Sequence, residues 1–259
     1  MLPKDNLLKG VENVETLTRI IDQADQAIRT WEPVTTDFLS PPAFYEAEAM
    51  FNRLADIHTQ AQGGYPQAER QRMTIARAEI PLEGQELPLA LLSVAGNFLF
   101  DTATHRDFLG ALLGTGIVRE KVGDIIVLGE RGAQIIVVPE LVEFLEMSLN
   151  QVRSVTVKTR SIEWNELRVR EPKKKEMTTV EASMRLDAVA SAGFGMSRSK
   201  MADMITKGDV RVNWKTTSQA SYALKAGDLV AIRGKGRLEI GEVMITKKQR
   251  YRIGLTRYV

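Results

Sequence analysis

The chain has 259 residues, 44% hydrophobic and 26% charged, proportions that exclude a disordered polypeptide and leave room for one large or two to three small domains. It has no apolar run near the roughly 18–20 residues of a membrane-spanning helix, no apolar signal core in its first ten residues and no Cys, so a reducing, cytoplasmic setting without disulfides or thiolate metal sites is expected. The net charge of +2 conceals a polarity, since residues 1–150 hold 12 basic against 22 acidic side chains and the remainder 23 against 11; the C-terminal part is expected to attract polyanions and the acidic part to stay off them.

In residues 1–70, Val14, Leu17, Ile20, Ile21, Ala24 and Ile28 recur at helical spacing, which predicts an amphipathic helix over 11–30. Ser40-Pro41-Pro42 marks a break and a helix start, because proline is tolerated in a first helical turn. A second helix is predicted over 43–59, with Phe44, Ala47, Phe51, Leu54 and Ile57 facing a core and Gly63-Gly64-Tyr65-Pro66 ending it. The stretch reads as a small helical domain.

Residues 71–167 alternate strand and helix signals. Strands are predicted over 73–80 and 87–94, then a helix over 105–113 for which Asp101, Thr102 and Thr104 offer N-caps. Two β-rich runs, 124–128 and 134–138, flank the turn Gly129-Glu130-Arg131-Gly132; a helix from Pro139 to about 152 and a strand over 155–162 follow. The order β-α-β-β-α-β matches a ferredoxin-like or RNA-recognition-type sandwich. Residues 168–180, with Glu171-Pro172-Lys173-Lys174-Lys175-Glu176, read as a solvated linker to a third domain over 181–259. The whole is α+β.

The third domain carries the most informative stretch, Ser183 to Lys215: a short helix, a glycine break, a second basic helix and a tight turn into a strand. Ser197 can cap the second helix and leave backbone N–H groups and a positive dipole end for a phosphate. Arg198 and Lys200 sit in that first turn, the wrong end of the dipole for cations, so the local conflict points to function. Lys207, Arg211 and Lys215 extend the basic surface, and Gly208 suits a left-handed turn. Arg185 and Asp187 form either a structural ion pair or an RNA contact with its orienting acid, and the structural role is the stronger reading for Asp187. The segment Lys247-Lys248-Gln249-Arg250-Tyr251-Arg252 reads as part of a last hairpin, because Ile253, Leu255 and Val259 still carry apolar side chains; its cations serve either as edge protection or as phosphate contacts.

Arg185-Leu186-Asp187, Ser197-Arg198-Ser199-Lys200, Ile205 and Gly208-Asp209-Val210-Arg211-Val212-Asn213, with Lys225-Ala226-Gly227-Asp228 further on, resemble the S4 RNA-binding domain in order and spacing. The resemblance implies two packed helices leading into a small bent sheet, with RNA across the helices and the turn, on Arg185, Ser197, Arg198, Lys200, Lys207, Arg211, Asn213 and Lys215. Two positions depart from the pattern: Ala190 where leucine is common, and Trp214 where glycine often follows Val-Asn. Phe38-Leu39-Ser40-Pro41 and the stretch from His105-Arg106-Asp107-Phe108-Leu109-Gly110 to Gly123-Asp124 resemble the YlmH-type proteins, and within them the cyanobacterial and plastid branch known as photosystem II S4 domain proteins. That likeness implies a phototroph, a cytoplasmic or stromal location, and a role on the large ribosomal subunit with peptidyl-tRNA during rescue of stalled ribosomes.

Enzyme chemistry finds little support. Two histidines, His58 and His105, and no Cys make no zinc site; Gly110, Gly114 and Gly116 form neither a Walker loop nor a dinucleotide fingerprint. Met196-Ser197-Arg198-Ser199-Lys200 resembles the nucleotide-binding loop of class I tRNA synthetases only superficially, with no nucleotide-binding fold before it. The runs 124–128 and 134–138 hold no aromatic residue, so base stacking on the middle sheet is not expected, and Arg106, Arg119 and Lys121 stand as a second possible RNA site. The expectation is a non-catalytic protein, without cofactor or metal, that binds structured rRNA or tRNA on the ribosome. The alternative is a protein-assembly factor, for example photosystem-related, whose upstream domains bind a protein partner.

Overall fold

Residues 2–86, 88–169 and 173–258 are described by a computed structural model, in which the chain divides into two units, Met1–Val169 and Arg170–Val259. In the first unit a short helix, α1 (Lys4–Leu7), precedes α2 (Val14–Thr30), whose Leu17, Ile20, Ile21, Ala24 and Ala27 are buried at the spacing of one helical face. The helix starts at 14 rather than 11 because the buried Glu46 carboxylate takes the N–H groups of Glu12 and Asn13, at 2.8 and 3.1 Å. After β1 (Val34–Thr35), α3 (Pro41–Phe51) opens on its two prolines.

The predicted all-helical N-terminal domain is corrected at this point. α3 stops at Phe51, and β2 (Ile57–Gln62) pairs antiparallel with β3 (Arg72–Arg77). β3 also takes β1 on its other side, giving a three-stranded sheet of order β1-β3-β2 beneath α2 and α3. The strand expected at 73–80 therefore belongs with the N-terminal elements. Long-range pairing decides the state of 57–62, where helical spacing of Leu54 and Ile57 misleads.

The rest of the unit is β4 (Ala90–Ala95), α4 (His105–Gly114), β5 (Val122–Val127), β6 (Gly132–Val137), α5 (Val142–Ser148), a small hairpin β7 (Gln151–Val152) and β8 (Val155–Thr156), and β9 (Lys158–Ser161). The antiparallel sheet runs β5-β6-β4-β9. Leu87, where a strand was expected to begin, lies outside the described residues. The predicted helix from Pro139 to 152 is shorter: a 3-10 turn over Pro139–Leu141, then α5, then the β7–β8 hairpin, whose turn uses Arg153 at φ 55°.

Both faces of this sheet are sealed. Leu92, Val94, Ile135 and Val137 pack with Phe108, Leu112 and Leu145 of the helices. On the opposite face Leu91, Ile136 and Val138 pack with Phe38, flanked by Tyr65, Ile162 and Leu167. The Asp124 carboxylate accepts the Tyr65 hydroxyl at 2.6 Å and the N–H groups of Glu69 and Arg70 at 2.8 and 3.0 Å, fastening the N-terminal elements to β5.

In the second unit β10 (Lys174–Glu181) precedes α6 (Leu186–Phe194), α7 (Arg198–Thr206), β11 (Val210–Val212), β12 (Lys215–Thr216), β13 (Leu229–Ile232), β14 (Gly236–Ile245) and β15 (Tyr251–Tyr258). The sheet is antiparallel in the order β10-β15-β14-β13-β11-β12. Lys174 to Thr179, expected in the linker, are strand: β10 pairs along its full length with β15, so their backbone groups enter a ladder despite the charge of the side chains. Arg170, Glu171 and Pro172 of the expected linker lie outside the described residues, as does Val259. Leu186, Val189, Phe194, Met201 and Ile205 of the helices pack on Val210, Val230, Leu238, Ile253 and Leu255 of the strands. Gly193 permits that contact, since a Cβ there would stand 2.3 Å from Leu238 Cδ2. The basic segment at 247–252 spans the β14–β15 turn and the start of β15.

Candidate nucleic-acid interface

The centre of the predicted surface is one carboxylate. Asp187, in the first turn of α6, has a side chain only 7% exposed and receives two guanidinium forks. Arg185, the N-cap of α6, donates from Nε and Nη2 at 3.0 and 3.1 Å; Arg198, the first residue of α7, donates at 3.1 and 3.2 Å. Burial pushes the Asp187 carboxyl up, but hydrogen bonds from both arginines outweigh it and hold it below the ordinary carboxylate range, while the bond to Asp187 raises Arg185. Two cations on one anion leave a net positive charge with oriented N–H groups at the surface, where Arg198 is 57% exposed.

Around this centre Ser197 caps α7, its Oγ accepting the Lys200 N–H at 3.3 Å. Lys200 and Lys207, the C-cap, are exposed. The turn that follows needs Gly208, at φ 76°, and lies against β12, with Thr216 Cγ2 3.4 Å from where a Cβ would be. Lys215 is exposed on that edge strand. No described carboxylate lies within ion-pair distance of Lys200, Lys207, Arg211 or Lys215.

The structure separates the remaining predicted residues from this group. Arg211 alternates with Val210 and Val212, which are buried under the helices, so its side chain leaves the sheet on the other face, with the partner position Ala231. Asn213 and Trp214 are the two central residues of the β11–β12 hairpin, at φ 48° and 66°, the pattern of a type I′ turn. Trp214 thus occupies a left-handed position, which is why glycine is common there. The Asn213 side chain is spent internally: Nδ2 donates to Asp228 Oδ1 at 2.8 Å and Oδ1 accepts the Leu229 N–H at 2.9 Å. Asn213 builds the turn that carries Lys215.

The second predicted site is not assembled. Arg119 donates to the carbonyls of Val122 and Gly123, and burial lowers its pKa. Lys121 pairs with Asp37 at 2.8 Å. Arg106, exposed in α4, stands apart from these commitments. Arg70, which sequence reasoning passed over, lies beside Arg119 and donates to the carbonyls of Val122 and Phe38 at 2.9 Å; burial and then the Arg119 charge lower its pKa to about 10. Partial desolvation, and then the same Arg119 charge, lower the pKa of His105 as well. The Arg185–Asp187 pair is legible in the sequence, but the second fork on Asp187, from Arg198, is not. Its signal was an Arg-x-Asp and a Ser-Arg eleven positions apart, which only the angle between α6 and α7 brings together.

Three family models match in series: "YlmH, N-terminal" over residues 12–80, "Putative RNA-binding domain in YlmH" over 83–166 and "S4 domain" over 184–230. The chain is 33% identical over 223 residues to ribosome-associated protein quality control protein P2 of Bacillus subtilis, covering 86% of each. Part of it is 42% identical over 55 residues to small ribosomal subunit protein uS4A of Clostridium novyi, covering 21% of this chain and 27% of that protein. Among solved structures, cell division protein ylmH from Streptococcus pneumoniae superposes with a TM-score of 0.53 at 18% identity, over 61% of this chain and 94% of that one, a likeness of fold.

Proposed function

Because the chain belongs to the YlmH-like family of S4-domain proteins, we propose that it is a non-catalytic RNA-binding protein that docks on structured rRNA or tRNA of the ribosome, in translation or ribosome quality control. The observation that carries the reading is the Asp187 carboxylate with Arg185 and Arg198 clamped to it, beside the capped N-terminus of α7 and the exposed Lys200 and Lys207. A fixed fork of guanidiniums meets phosphate oxygens bidentately, and the surrounding lysines add charge without a base code, so recognition rests on RNA shape and phosphate position. A ribosomal partner is expected by analogy with the Bacillus relative, whose name places it in ribosome-associated quality control; the large subunit and its tRNA are our proposal for the part of the ribosome it meets. The ferredoxin-like or recognition-motif reading of the middle sheet is part of the proposal and is supported by its β5-β6-β4-β9 order. Placement in the cyanobacterial and plastid branch rests on the motifs at 38–41 and 105–124.

The test reverses charge where no internal partner is lost. Lys200→Glu with Lys207→Glu keeps the Asp187 clamp, whereas a glutamate at 198 would face Asp187 and strain the fold. The double variant is expected to lose co-sedimentation with ribosomes at moderate salt while melting as the wild type does. Undiminished co-sedimentation would overturn the proposal.

A further inference from the structure

The middle region matches an RNA-binding family model, yet both faces of its sheet are covered and Arg119 and Lys121 are tied to partners within the unit. Any RNA contact there must use an end or an edge. One end carries an unusual feature: Phe100, in the loop from β4 to α4, is 93% exposed and its neighbour Leu99 50%. An aromatic ring left in water gains nothing for its own fold, and Phe100 is the most exposed large apolar side chain among the described residues.

The loop is held out rather than left loose. Phe98 is fully buried against Phe108, ring centroids 5.3 Å apart, and its N–H donates to the Glu130 carbonyl at 3.0 Å. On the other side of Phe100, Asp101 accepts Arg153 Nε at 2.7 Å and the Ser154 hydroxyl at 2.5 Å. Two residues are thus presented between two fixed points. The same end of the sheet gathers cations: Arg131 lies in the β5–β6 turn, whose backbone bonds to Gly96; Lys158 pairs with Ala95 at the end of β4; Arg106 is in the first turn of α4. These three have no carboxylate partner among the described residues. Aromatic ring and unpaired cations together are the equipment for an unstacked base and its flanking phosphates.

We infer that Phe100 is a stacking platform for an unpaired nucleobase of RNA, with Arg106, Arg131 and Lys158 meeting the adjacent phosphates, a contact separate from the α6–α7 surface. This rests on the RNA-binding reading above. The experiment measures affinity of the full chain for rRNA purified from bacterial ribosomes by filter binding, for wild type, Phe100→Ala, Phe100→Leu and Phe100→Trp. Because Phe100 is exposed, all variants should melt with the wild type. Phe100→Ala and Phe100→Leu are expected to weaken binding by about tenfold, in line with the loss of one stacked base, and Phe100→Trp to retain it with its added fluorescence quenched by RNA. Unchanged affinity of Phe100→Ala, beside a wild type that binds, overturns this inference alone; full RNA binding by Phe100→Leu overturns it by showing that no stacked ring is needed. A wild type that does not bind RNA overturns both readings.

Discussion

At the scale of single residues, the decisive side chain is an acid in a basic surface. Asp187 is buried where an unpaired carboxylate would be unfavourable, and two arginines supply four hydrogen bonds. It therefore acts as a positioning residue that fixes both guanidiniums. Its folded pKa lies below the unfolded value, so its contribution to stability is present above the unfolded carboxylate value, about 3.9, and is lost as pH falls through the folded pKa. Asp187→Asn should lower stability by about 1–2 kcal/mol at neutral pH. In urea unfolding at pH 7, 5 and 3, the gap to wild type should close at the acid end; a gap that widens there contradicts the assignment. Arg185, Arg198 and Lys200 could be named from their spacing. That Asn213 is structural could not, because its partners Asp228 and Leu229 lie 15 and 16 positions away.

Among the elements, the β11–β12 hairpin shows how a turn positions a cation. Asn213 tolerates the left-handed backbone and bridges to the β13 side, and Lys215 leaves the turn on an exposed edge. Asn213→Ala removes two hydrogen bonds and places alanine at positive φ, with an expected loss of about 2–3 kcal/mol read by thermal unfolding; a shift of less than a degree in Tm would show that the bridge is dispensable. The longer elements were legible where periodicity was strong and local, as in α2 and α4. Local pattern misleads over 57–62 and 174–179. Those segments are strands because of what they pair with, β3 and β15, and their own composition says helix end and charged linker.

For the whole molecule, charge divides with the two units. Met1–Val169 holds 16 basic against 24 acidic side chains and Arg170–Val259 holds 19 against 9. RNA affinity is then expected to fall by roughly a thousandfold between 50 and 200 mM salt if about six phosphates are neutralised. Replacing Lys200 or Lys207 by alanine should each reduce the slope of log affinity against log salt by about one unit. A flat salt dependence of the wild type would show that phosphate contacts do not dominate binding.

What the sequence by itself determined is local or cumulative: the charge split, the S4 motif with its capped basic helix, the family, and the helices whose apolar faces repeat every three to four residues. Tertiary structure decided which cations are free. Lys121 and the polar Asn213 look as available in the sequence as Lys200 and Lys207 do, yet carboxylates from distant segments claim them, and Arg119 is folded onto the carbonyls of Val122 and Gly123. It also decided faces, since strand alternation turns Arg211 away from the helices and Phe38 packs on Ile136 to cover one face of the middle sheet. A polar side chain's role depends on whether folding brings it a partner, and partners come from parts of the chain that no local pattern connects.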